Sequence, residues 1–346
     1  MRTNIEIDVG LMADVQRECG IKTRKEAIDL GLRSLLRIGR QNSLRQLSGA
    51  RGTERDIVWS AASEALFERL ATPLDEREAV KYNHRFLNEY QPNVSFMLPP
   101  ELAHELLQAS TAAVGRRDTD EDVGDLFMMD FIWGGTRLRG SSLSRYGARK
   151  VLSSKELRHD LDTLDVLNHF IVHNNLIWWN DGLDLTCDRI LTINSQHIEG
   201  HFDPSSKSDF RKHATNIPGS QYFPLSDAFM LAEMMDILIQ KACAISNPIE
   251  AAFFLWLHLA YLHPFDTANH RTSRAAMNIP LLKAGLVPIT FVNVDKIDYQ
   301  KAKVGFYEFR DTSIAADLFT WAYMQSARRY PGFCLEGIWN PELKRR

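Results

Sequence analysis

The side chains best suited to chemistry lie close together, between His263 and Arg274. An apolar run from Ala251 to Leu262 ends at His263-Pro264, where proline forbids a helix from continuing. A second helix starts near Asn269 and carries Arg271 and Arg274. An imidazole at one helix end therefore stands a few residues from a helix N-terminus backed by two guanidiniums. The free amides of a helix N-terminus and the forked donors of arginine both attract phosphate. A nearby histidine supplies a base that can work near neutral pH. The pattern points to chemistry on a phosphate-bearing ligand.

Two helices must hold these groups. Asn247-Pro248-Ile249-Glu250 offers an N-cap, proline at the first helical position and glutamate at the third. The following helix is apolar all round, which marks the centre of a domain, and His258 on it reads as a core histidine. The helix from Asn269 is predicted to run to Gly285, kinked by Pro280. His169 and His173 share one helix face but lack the glutamate of a zinc-binding HExxH helix.

The segment His263-Pro264-Phe265-Asp266-Thr267-Ala268-Asn269-His270-Arg271-Thr272-Ser273-Arg274 resembles the Fic/Doc signature HPFx(D/E)GNGRxxR, agreeing at His263, Pro264, Phe265, Asn269, Arg271 and Arg274. Asp165-Val166-Leu167-Asn168-His169 is similar to the helix upstream of that signature. Phe131 to Ser144 is similar to the segment that carries the family's inhibitory motif. The resemblance spans most of residues 90–290. It implies a mainly α, Fic-type helical bundle with a short β-hairpin flap. It also implies transfer of AMP from ATP, or of a group from another nucleotide, to a Ser, Thr or Tyr hydroxyl of a protein. In that reading His263 is the base; Ala268, Asn269 and His270 present amides to the phosphates; Arg271 and Arg274 neutralise phosphate charge. Residues 211–224, with Lys212, Asn216 and Tyr222, occupy the place of the flap that clamps a target by strand addition.

Three departures from the pattern bear on mechanism. The acidic residue that holds magnesium in the family is Thr267 here, leaving Asp266, one position early, as the nearest carboxylate for a metal. The two glycines become Ala268 and His270; alanine at the first hints at a Doc-like phosphotransferase. The inhibitory glutamate position holds Arg139 and its Ser/Thr partner position holds Gly135, so the usual brake on Arg274 is missing, and Arg139 adds positive charge for an anionic ligand. A second alternative is a catalytically inactive Fic scaffold acting as a DNA-binding, antitoxin-like regulator.

The N-terminal end is built differently. Thr3, Ile5 and Ile7 alternate with Arg2, Asn4 and Glu6, a short strand with one polar face. Asp8 caps a first predicted helix, and Thr23 with Glu26 forms a capping box for a second. One strand and two helices cannot close a core alone. The segment resembles the ribbon-helix-helix antitoxins of the VapB type over about residues 1–50. That resemblance implies a homodimer whose paired strands read operator DNA through Arg2, Asn4 and Glu6, with the Thr23 helix N-terminus on a phosphate. Nine cations against six acids give this end a surplus of +3. The expected organisation is 1–50 as this module, 51–89 as a linker and helical connection, and 90–346 as the Fic domain with a helical extension.

The whole chain, 346 residues at a net charge of -3, gives no general attraction for nucleic acid or anionic lipid. Four scattered cysteines exclude a disulfide framework and a structural zinc, and no long apolar run spans a membrane. A cytoplasmic setting is expected.

Overall fold

Every residue from Ile249 to Leu262 is buried, and this one helix sets the architecture. The computed structural model describes residues 57–116, 123–154, 160–178, 183–200 and 209–333, with positions 10, 12, 23–25 and 28 before them. The chain divides into two compact units, Met1–Ile57 and Val58–Arg346. In the first, Gly10 and Met12 are helical, and Thr23 is exposed directly before helical Arg24 and Lys25. Arg2, Asn4 and Glu6, expected to read DNA, lie outside the described residues.

The second unit is mainly helical, in the order α1 (Ala61–Leu70), β1 (Val80–Lys81), α2 (His84–Asn88), α3 (Pro100–Val114), α4 (Val123–Arg139), α5 (Arg145–Ser153), α6 (Leu161–Trp178) and α7 (Cys187–Ile198). It continues with β2 (Tyr222–Phe223), α8 (Ala228–Ala244), α9 (Pro248–Leu262), α10 (Asn269–Ala276), α11 (Asn278–Lys283), α12 (Lys296–Phe309) and α13 (Ser313–Arg329). Helix α9 is the axis, in contact with α3, α8, α10, α11 and α12. It starts as its sequence dictates: Asn247 Oδ1 accepts from the amides of Ile249 and Glu250, and Pro248 stands at the first position. The buried Glu250 carboxylate turns to the preceding segment instead, accepting from the amides of Met97 and Leu98 and from the Tyr90 hydroxyl. Helix α1, in the stretch expected as linker, contacts α12 and α13 and belongs to this unit.

Two expectations change. The helix after Asn269 does not bend as one piece but is interrupted at Met277 between α10 and α11, one turn before Pro280, which has no amide to donate to the Ala276 carbonyl. Asn278 ties the interruption down, donating to the carbonyls of Arg274 and Ile289 and accepting from the Ile289 amide. Among the described residues there is also no hairpin at the flap. Strand β2 pairs in parallel with β1, in the register Val80 to Tyr222 and Lys81 to Phe223. Glu308 on α12 fixes that edge by accepting from Ser220 Oγ, the Gln221 amide and Arg77. No helix among the described residues is long and apolar enough to cross a membrane.

Candidate active site

Helix α9 delivers His263 in a left-handed backbone conformation, φ 49° and ψ 55°, because Pro264 denies it the helical one. Ala268, the residue before α10, is also left-handed, at φ 62°. Neither is glycine, so the turn is held at a conformational cost. What holds it is visible. Asn269 Oδ1 accepts from the Phe265 amide while its Nδ2 donates to the Phe265 carbonyl, at 2.9 and 2.7 Å. Asn194 on α7 donates to the Thr267 carbonyl and to Thr272 Oγ1. Arg211, 1% exposed, donates from its amide to the Pro264 carbonyl, from Nε to the His263 carbonyl and through its other nitrogens to His213 and Leu225.

This turn forms one wall of a cleft of about 460 Å³. The opposite wall is the face of α12 that carries Tyr299, Lys303 and Tyr307, and residues 215–219 form a lip. His263 lines the cleft with Nδ1 sealed from solvent. Its pKa is lowered to about 3, first by burial, then by the charges of Arg211 and Lys303, with only the Ala260 backbone acting in the opposite sense. His270 stands where the signature has its second glycine. Its ring meets that of His263 edge-on at 5.5 Å and lies nearly parallel to Tyr307 at 6.4 Å. Burial, then Lys303, His263 and Arg274, push its pKa well down, so it is a neutral wedge between the two rings.

The two arginines differ in role. Arg271 donates to Asp165 at 2.7 Å and to the His197 carbonyl at 3.1 Å. The other Asp165 oxygen takes Arg139, so the extra positive charge expected of Arg139 is met by a carboxylate that is 1% exposed. Arg274 donates to the Gly135 carbonyl at 3.1 Å and to the Tyr299 hydroxyl at 3.4 Å. Unlike Arg271, it bonds neutral oxygens and no carboxylate among the described residues. Lys303 lies buried, its Nζ 4.7 Å from the centre of the Tyr299 ring. Burial, then Arg274 and Lys296, drive its pKa well below the usual lysine value.

The remaining predicted residues are scattered. Asn216 is exposed on the lip, and Lys212 is exposed in a surface pair with Asp209. Tyr222 is not offered to a target: it is 1% exposed, stacks on Tyr261 at 4.7 Å and donates to the Tyr261 carbonyl. An aromatic on a two-residue strand over α9 is worth more inside than out. Lys303, Arg211 and Asp165 were not among the expected site residues. The spacing Tyr299, Lys303, Tyr307 places three side chains on one helical face, the one signal in the sequence for Lys303. Magnesium finds no fitting donor set. Asp266 is a single exposed carboxylate in the field of Arg211, the Thr267 carbonyl is taken by Asn194, and no cluster of three acidic, His or Cys ligands occurs among the described residues.

The helical frame around this cleft is the Fic fold. A Fic family protein from Desulfovibrio desulfuricans superposes with a TM-score of 0.57 at 17% identity, over 69% of this chain and 76% of that one. Fic-1 from C. elegans does so with a TM-score of 0.54 at 15% identity, over 66% and 71%. More particularly, residues 184–281 match the Fic/DOC family and residues 1–47 match VapB, the bacterial antitoxin of type II TA systems. The protein adenylyltransferase Fic of Nematostella vectensis is 32% identical over 131 residues, covering 37% of this chain and 30% of that protein. That of Aedes aegypti is 25% identical over 213 residues, covering 56% and 42%. The match thus spans less than half the length of these curated relatives.

Proposed function

We propose that the cleft binds a nucleoside triphosphate and that the chain transfers its nucleotidyl group, AMP from ATP in the first instance, to a hydroxyl of a protein. The hydroxyl oxygen attacks the α-phosphorus, the bond to the β-phosphate oxygen breaks, and pyrophosphate leaves. The hydroxyl proton passes to His263, through Nε2 since Nδ1 is sealed. The amides of Ala268, Asn269 and His270 and the guanidinium of Arg274 receive the phosphates; Arg271 and Arg139 act through Asp165 to hold α10 in place. The single observation that carries this reading is that His263, the α10 N-terminus and Arg274 line one cleft. The test is label transfer to lysate proteins from ATP labelled at the α-phosphate, with His263→Ala as control. Transfer from the α-label that vanishes in the variant is expected. Label arriving from the γ-phosphate instead would establish a Doc-like phosphotransferase.

The match of residues 1–47 to VapB favours a second activity in the same chain: a homodimer that binds its own operator DNA. Binding should weaken with salt and disappear with Arg2→Ala plus Asn4→Ala. Binding that survives both changes removes the N-terminal strand from the account.

A further inference from the structure

The cleft carries more positive charge than its own acids answer. Asp165 serves Arg139 and Arg271. Arg274 bonds only neutral oxygens, and among the described residues no carboxylate pairs with Lys303. Lys303 is 6% exposed and is met by the face of Tyr299, whose hydroxyl also takes Arg274 and the Trp256 indole. A buried ammonium without a counter-ion is unfavourable unless something anionic completes it. A ring face softens that cost without removing it. Across the cleft, the one lining carboxylate among the described residues, Asp266, is exposed and lies in the field of Arg211. A divalent cation entering here would meet ammonium and guanidinium groups and a single carboxylate, poor company for a hard ion that wants several oxygens.

We infer that Lys303, beside Arg274 on Tyr299, is an anion-binding residue that supplies the charge a divalent cation would otherwise bring, so that this site takes the metal-free polyphosphate of its ligand. The inference rests on the reading of the cleft as a polyphosphate site. It narrows the ligand to one whose phosphates arrive without a coordinated metal, because a metal-bound triphosphate has spent the charge that Lys303 and Arg274 are placed to receive.

The test is calorimetric titration of the full chain with ATP and with inorganic tripolyphosphate, each in EDTA and in excess Mg²⁺. Both ligands should bind in EDTA, and Mg²⁺ should leave the affinity unchanged or lower it. Lys303→Met should weaken binding in EDTA by ~10–100-fold, the usual worth of a hydrogen bond to a charged group, while Lys303→Arg retains most of it. Circular dichroism checks that the variants fold, and the wild-type comparison of EDTA with Mg²⁺ decides the matter if they do not. Binding that requires Mg²⁺ and ignores Lys303→Met overturns the inference and leaves the nucleotide reading standing. Failure of both ligands to bind under either condition overturns both.

Discussion

In the free protein His263 sits at about pKa 3, held down by burial and by Arg211 and Lys303. At neutral pH such an imidazole is always free to accept a proton but is a weak acceptor, about four pKa units from the operating pH, where a general base works best. A polyphosphate in the cleft reverses the field. With an effective dielectric of about 20, one unit of negative charge at ~6 Å favours the imidazolium by roughly 3 kcal/mol, or ~2 pKa units. Arg274 and Lys303 consume part of the ligand charge, so a net of one to two units acting on His263 should carry it from about 3 to about 5–7. The ligand would thereby activate the base that serves it. Selective isotope labelling of histidine and NMR titration of the ring signals, with and without tripolyphosphate, reads this directly. Without ligand the His263 signal should not titrate above about pH 4.5; with ligand its midpoint should exceed 5. A free-state midpoint near 6.5, or no change on adding ligand, would refute the electrostatic account of the site.

Three further outcomes follow from the packing. His258 and His173 are buried, with pKa values lowered to about 3 and about 4 by burial, so the folded state keeps them neutral while the unfolded chain protonates them near 6.5. Stability is therefore complete above pH 6.5 and falls below it, by ~4 kcal/mol for the pair at pH 5, measurable as a drop in the urea midpoint. Gly135→Ala puts a Cβ 2.6 Å from His169 Cδ2 and Nε2. The clash should outweigh alanine's better helix propensity, costing ~1–3 kcal/mol, and should also weaken tripolyphosphate binding because the Gly135 carbonyl holds Arg274; thermal unfolding and titration check the two parts. Asp165→Asn leaves Arg139 and Arg271 facing each other with no carboxylate between them. A loss of ~3–5 kcal/mol is expected in denaturant unfolding, partly restored by added phosphate.

The helix that carries the site was legible because its signals are local. Asn247, Pro248 and the His263-Pro264 stop fix α9 within its own sequence, and Asn269 begins α10 where the pattern puts it. Residues whose roles depend on distant partners were not. Arg211 reaches the His263 carbonyl across 52 positions, and Asp165 reaches Arg271 across 106. Strand β2 pairs with β1 from far up the chain instead of folding back on a hairpin, since Glu308 and Arg77 secure that edge. Tyr222 illustrates the difficulty: a tyrosine beside a cleft looks available for binding, and only the stack on Tyr261 shows that it is spent on the core. Pro280 announces an interruption, but the groups that tie it down, the Asn278 side chain and the Ile289 backbone, meet only in the fold.

The turn from His263 to Ala268 joins these threads. Two residues with side chains adopt a backbone that glycine would take freely, and the strain is opposed from three directions, by Asn269 within the turn, Asn194 from α7 and Arg211 from the segment before β2. A loop fixed that firmly before any ligand arrives has little ordering entropy left to lose on binding. The same holds for placement of charge: Lys303 and Arg274 already stand side by side on Tyr299 and are already desolvated, and the burial that disfavours the Lys303 ammonium is offset when an anion pairs with it. A site prepared in this way needs an anion to relieve it. On the proposed reading, affinity for polyphosphate would be a consequence of cations placed and desolvated before the ligand arrives.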